Sequence, residues 1–198
     1  MPKRQSRSND RRRDILQAAL RAFTEHGLSA TTVEMICEGS GASVGSVYHH
    51  FGNKIGVATA LYQQGLEEHF DALHARATAA EDARGVIAAL IESFIDWTTE
   101  NPDWARFIFA VRADMMQSEA AEKLTAANKE RVKALRDLLA PHVEQGHIRQ
   151  LPFELYQPLI HGPVLTYVRA WLAGRTASAP TEHRETFVQA AWRAVGNE

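Results

Sequence analysis

Apolar residues recur at three- and four-residue spacing along nearly the whole chain, and runs of alternating polarity are missing. Ile15, Ala19, Ala22 and Phe23 mark a first helix from about Arg11 to His26, stopped by Gly27. Thr31-Thr32-Val33-Glu34 offers a capping box, with Thr31 as the cap and Glu34 reaching back to it. The short helix it opens ends at Gly39-Ser40-Gly41. Ser43 caps a third helix, Val44 to about His50. Asn53 caps a fourth, carried for several turns by Ile55, Ala58, Tyr62, Leu66, Phe70 and Leu73.

Beyond an Ala-rich break near 78–84, an apolar helix is predicted from Val86 to Thr99. Asn101-Pro102-Asp103 starts the next, with Trp104, Phe107, Ile108, Val111 and Met115 on one face. A long helix from about Ser118 presents Leu124, Val132, Leu135 and Leu139, until Pro141 bends or ends it. Phe153 to Ala173 forms another, bent at Pro158 or Pro163, and the last runs from about Pro180 to Val195. The pattern predicts an all-α chain of about nine helices, a three-helix N-terminal domain followed by a larger helical bundle.

One stretch resists explanation by internal packing, GASVGSVYHHFGNK at 41–54. Gly45 inside a short helix costs about 1 kcal/mol against alanine, and neighbouring histidines add little to a core. Two short helices joined by a Gly-containing turn, the second opened by a serine cap, form a helix-turn-helix. Its second helix lies in the DNA major groove. Gly45, Ser43 and Ser46 then permit close approach to the groove, Tyr48 and His49 supply donors, and Val47 and Phe51 face inward.

Composition narrows the classes. The 198 residues are 45% hydrophobic and 23% charged, an ordinary globular mixture. Cys37 is the one cysteine, so no intramolecular disulfide or cysteine-based zinc site can form, and it reads as a small core residue. No apolar run reaches 18 residues and the N-terminus lacks a signal-peptide core, which predicts a cytoplasmic protein without a membrane partner. The net charge of −2 hides an asymmetry: residues 1–60 carry +3 and residues 61–198 carry −5. Lys3, Arg4, Arg7, Arg11, Arg12 and Arg13 form a basic arm, the pattern of a phosphate-binding end, although solvated tails share it.

The histidine pairs His69/His74 and His142/His147 stand five apart, poor spacing for one helix face, and no metal site is expected. No His-Glu-x-x-His or Gly-rich phosphate loop occurs, so neither an enzyme nor a cofactor is expected. Glu92, Asp96 and Glu100 form a stripe that reads as a solvated face before a cation site. Arg106 and Arg112 could meet a carboxylate ligand or local acids.

Phe23-Thr-Glu-His-Gly27, Ala30-Thr-Thr-Val33, Ile36, Gly41-Ala-Ser43, Gly45, Tyr48-His-His-Phe51 and Lys54 resemble the N-terminal signature of the TetR-type transcriptional regulators. The departures are Cys37 for a usual alanine, Ala42 for valine, and Ile55-Gly56 for an acidic helix start. The resemblance implies a DNA-binding domain over 10–70, its helix-turn-helix at about 32–51, and a ligand-binding and dimerisation domain over 71–198. It implies that Ser43, Val44, Ser46, Tyr48 and His49 face the groove, that Thr32 and Lys54 meet phosphates, and that Arg11, Arg12 and Arg13 approach the backbone. It also implies a homodimer on a palindromic operator, acting as a repressor whose reading heads are re-spaced by a small effector.

No motif carries over into the C-terminal two-thirds. Phe94, Trp97, Trp104, Phe107, Met115, His161 and Tyr167 either line an apolar pocket, fitting an apolar or amphipathic effector, or are plain core. Leu159, Val164, Trp171, Phe187, Ala191 and Ala194 resemble the dimerising pair of helices. The competing reading is a helical small-molecule-binding or adaptor protein without specific DNA binding.

Overall fold

The structure, a computed structural model, describes residues 2–197, with side chains from residue 8 onward. It is 83% helical, and no strand occurs among the described residues. Two compact units divide it: the chain up to Leu66 with Asp103–Thr125, and Glu67–Pro102 with Ala126 onward. The sequence boundary near residue 70 thus compares with Leu66/Glu67, and residues 103–125 pack in the first unit.

In the first unit, α1 (Pro2–Ala30), α2 (Val33–Ser40) and α3 (Val44–Phe51) precede the start of α4 (Lys54–Thr78). Helix α1 begins nine residues earlier than its apolar pattern, which reports only the buried face. Gly27 interrupts its helical geometry at φ 78°, ψ 166°. The α2 cap is Thr32, not Thr31: extended at φ −110°, ψ 163°, Thr32 accepts from Met35 N–H at 3.3 Å. Thr31 is instead fully buried, its hydroxyl donating to the Ala22 and Gly27 carbonyls at 3.0 and 2.8 Å. It stitches the end of α1 where Gly27 has broken the ladder.

Gly41, left-handed at φ 64°, ends α2, and Ser43 caps α3 by accepting from Ser46 N–H at 3.2 Å. Asn53 caps α4 through Gly56 N–H at 2.7 Å. Glycine is obligatory at 56, where a Cβ would lie 1.8 Å from the Phe51 carbonyl oxygen. That accounts for the glycine at 56. Helix α6 (Pro102–Met116) joins this unit's core, which contains Ile15, Ile36, Val47, Leu61, Phe107 and Met115. The Phe23 and Phe107 rings stack at 5.5 Å.

The second unit holds the rest of α4, α5 (Ala83–Glu100), most of α7 (Ala121–Glu144), α8 (Phe153–Leu172) and α9 (Arg184–Val195). Helix α5 is the spine: Ile87, Leu90, Ile91 and Ile95 are fully buried. It starts three residues before Val86 because Asp82 caps it, accepting from Gly85 N–H at 2.6 Å. Helix α7 continues through Pro141, and Val132 faces outward at 37% exposure, off the buried face assigned to it from spacing. Helix α8 runs uninterrupted through Pro158 and Pro163, both exposed. A 3-10 turn, Pro180–His183, precedes α9.

The stripe Glu92-Asp96 is an ion-pair network rather than a bare solvated face. Arg76 of α4 pairs with Glu92 at 2.7 Å and Asp96 at 2.9 Å, and Asp96 also pairs with Arg184 of α9. The Arg184 hydrogen bond, more than the contact with Arg76, holds the Asp96 carboxyl below its ordinary pKa despite partial burial.

Candidate nucleic-acid interface

Helix α3 separates its residues cleanly. Val47 is fully buried and anchors the helix, while Ser43, Val44, Gly45, Tyr48 and His49 lie on the exposed side. Val44 and Tyr48 keep 42% and 51% of their surface in solvent, large values for apolar and aromatic groups. Ser46 is half-buried. A Cβ at Gly45 would meet nothing nearer than Ser43 Oγ at 4.0 Å. No contact inside the protein therefore requires glycine there, unlike Gly56.

The basic residues divide by role. Lys54 Nζ donates to the Ser29 and Thr31 carbonyls at 3.0 and 2.7 Å, tying the start of α4 to the α1–α2 connection. Arg11 Nη1 donates to the Ser40 and Gly41 carbonyls, both at 3.3 Å, closing the C-terminus of α2. Both groups read from sequence as phosphate contacts thus also have intramolecular work. Arg12 is exposed and sits over the Phe51 ring at 5.5 Å. Arg13 pairs with Asp10 at 3.1 Å. The side chains of Lys3, Arg4 and Arg7 lie outside the described residues. Thr32 is exposed beside its own cap. The His50 imidazole is held below its usual pKa first by burial, then by His49 and Arg12.

The predicted pocket set is split. Trp104, Phe107 and Met115 belong to the first unit; Trp104 packs so closely on Gly65 that a Cβ there would reach its ring at 2.3 Å. In the second unit Phe94, Trp97 and His161 are brought together, and His69 joins them. Tyr167 stands apart: its hydroxyl meets Ser178 Oγ at 2.8 Å and its ring faces His183 and Phe187 at 5.4 Å. Sequence reasoning missed His69 by treating it as half of a histidine pair. The signal was its register, since Tyr62, Leu66, His69 and Leu73 follow the apolar stripe of α4.

The interface set is divided too. Val164 and Ala191 are buried within the protomer at 0% and 1% exposure, so they belong to its core and offer no outward face. Leu159 is exposed, and Trp171, Phe187 and Ala194 are half-buried. Arg106 pairs with Asp103 at 3.0 Å, and Arg112 is exposed. No group of three or more His, Cys, Asp or Glu among the described residues is arranged to hold a metal. No helix among them is long and apolar enough to cross a membrane.

A serine-capped helix, anchored by one valine and presenting glycine, tyrosine and histidine outward from a three-helix core, defines a helix-turn-helix DNA-binding protein. Residues 15–61 match the model of the bacterial regulatory proteins of the tetR family. This part of the chain carries the DNA-binding domain of TetR family transcriptional regulators. Its sequence is 34% identical over 126 residues to the regulator BetI 2 of Chromohalobacter salexigens, a match covering 63% of this chain and 61% of that protein. It is 29% identical to the transcriptional repressor KstR2 of Mycobacterium tuberculosis over 86% of each chain. Among solved structures, a TetR family regulator from Marinobacter aquaeolei VT8 superposes with a TM-score of 0.84 at 23% identity, covering 98% of this chain and all of that one. The KstR2 structure superposes at 0.75 and 22% identity, covering 95% of this chain and 96% of that one. These likenesses carry the fold.

Proposed function

We propose that this regulator is a cytoplasmic, homodimeric repressor that binds a palindromic operator and releases it in response to a small molecule. The observation that carries the DNA reading is Gly45, open to solvent between the exposed Val44 and Tyr48. In this reading Ser43, Val44, Gly45, Ser46, Tyr48 and His49 lie against base edges and groove wall. Thr32, Arg11, Arg12, Arg13 and Lys54 meet phosphates, Lys54 through the donor its two carbonyls leave free. An adaptor without specific DNA binding has no use for this face.

A second copy is supported by α8. Leu155, Leu159 and Thr166 are exposed on one stripe with the half-buried Gly162, where a Cβ would meet nothing within 4 Å. The Thr166 hydroxyl donates to the Gly162 carbonyl at 2.9 Å, which turns its polar end back onto its own helix. Two such stripes suit a symmetric helical interface. An effector acts by preferring one spacing of the two α3 helices, lowering operator affinity by its differential binding.

The test is footprinting of the dimer on its own upstream DNA across a salt series. Two symmetric protected half-sites with a steep salt dependence are expected. Weak, salt-sensitive binding without protection, on upstream DNA and on selected genomic fragments alike, would overturn the reading.

A further inference from the structure

Four buried side-chain polar atoms among the described residues have no hydrogen-bond partner: His69 Nε2, Trp97 Nε1, His142 Nδ1 and His161 Nδ1. Three of the four belong to one cluster in the second unit. The His69 ring lies 5.5 Å from Trp97 and 5.9 Å from Phe94, and Phe94 meets the His161 ring edge-on at 5.9 Å. Helices α4, α5 and α8 each bring a side chain here. An unmet buried polar group costs roughly 1–3 kcal/mol, and phenylalanine in these places would carry no such cost. Three gathered in one cluster of side chains are the mark of a polar group that arrives from outside.

Their valences say what that group is. The Trp97 indole nitrogen can only donate. The Leu90 backbone carbonyl acts on His161 as an acceptor, raising its pKa against burial, and since Nδ1 has no partner this falls to Nε2. A carbonyl only accepts, so that imidazole nitrogen carries the hydrogen, and Nδ1 is left as a lone-pair acceptor. Burial pushes both imidazoles down to about 4, His69 further disfavoured by His161, so both are neutral near pH 7. The site therefore needs a partner that accepts and donates. A carboxylate satisfies Trp97 but opposes the His161 lone pair, and an ammonium does the reverse. A hydroxyl does both, and Phe94 supplies an apolar surface beside it.

We propose that His69, Phe94, Trp97 and His161 bind an uncharged molecule presenting a hydroxyl on an apolar body. Its oxygen accepts from Trp97 Nε1–H, its hydrogen is donated to His161 Nδ1, and His69 Nε2 faces the same group. For its regulatory meaning the proposal rests on the ligand-responsive reading above; the binding itself does not.

The test uses the full chain and matched probes, each alcohol against the carboxylate and the amine with the same hydrocarbon part, from butyl to decyl and including cyclohexyl. Calorimetric titration at pH 7.5 should find an alcohol bound at least tenfold more tightly than either charged counterpart. Trp97→Phe, which removes the donor and little volume, should weaken it about tenfold. In the unaltered protein, nitrogen NMR should show the His161 Nδ1 resonance moving to that of a hydrogen-bonded acceptor as the alcohol is added. A charged probe binding as tightly, no alcohol binding at all, or an unmoved Nδ1 resonance would overturn the proposal. Operator release is read separately. An alcohol that binds without loosening DNA refutes the ligand-responsive reading and leaves the site standing; specific footprinting with no alcohol bound does the opposite.

Discussion

The two units treat polar groups in opposite ways. Around the helix-turn-helix the polar groups that hold the geometry are satisfied: Thr31, Thr32, Ser43, Asn53, Lys54 and Arg11 each bond to a named partner. What is offered to a partner lies outside, on Val44, Tyr48 and His49. In the second unit the unsatisfied groups are inside, on His69, Trp97 and His161. A long rigid polymer can be met only by a finished outer surface. A small molecule can be enclosed, so its site can carry polarity that the empty protein leaves unmet.

The contrast can be broken at several points, and the largest effect is expected at Gly56. Gly56→Val forces a side chain into the Phe51 carbonyl and should destabilise the first unit by about 4 kcal/mol, read by denaturant unfolding. A loss under about 1 kcal/mol would show that the α3–α4 turn can yield.

The buried histidines come next. In the unfolded chain they titrate near 6.5, in the folded protein near 4. Between these values the unfolded chain binds more protons, so stability is full above about pH 6.5 and falls as pH drops toward 4. Each contributes on the order of 3 kcal/mol to that loss. His69→Phe with His161→Phe should flatten the profile of Tm against pH in this window; an unchanged slope would place the acid sensitivity elsewhere.

Gly45→Ala has a smaller and divided effect. Its Cβ enters open space, so helix stability should rise by about 1 kcal/mol while operator affinity falls. Gly162→Ala should repeat this in the second unit, stabilising the fold and weakening the dimer, read by sedimentation. If either variant gains stability without losing its partner, that glycine has no external role. Smallest is Lys54→Ala: the slope of log affinity against log salt should flatten by about one unit. An unaltered slope would leave Lys54 with its two carbonyls alone.

Much of this was legible because caps and stops are local. Ser43 and Asn53 were read correctly from type and position, and Gly27 and Gly41 turned the chain where expected. Thr31 and Thr32 were exchanged because either threonine can cap, and only the burial of Thr31 under α1 decides. The intramolecular bonds of Arg11 and Lys54 span 29 and 23 residues, beyond the reach of any periodicity. The apolar face of α6 is evident in the sequence, but a buried face does not name its neighbour, and Trp104, Phe107 and Met115 fall in the first unit. His69 shows the converse: a polar residue in an apolar register is a stronger signal than its distance from another histidine.

The network at Asp96 has the character of a joint with one spare fastener. Arg76 grips two carboxylates a helical turn apart, so Glu92→Gln leaves it still held by Asp96. Asp96 itself is shared, and Asp96→Asn loosens Arg76 and Arg184 together. Damage there spreads in one direction: the α4 end fails gracefully, whereas the α9 end loses the carboxylate it pairs with.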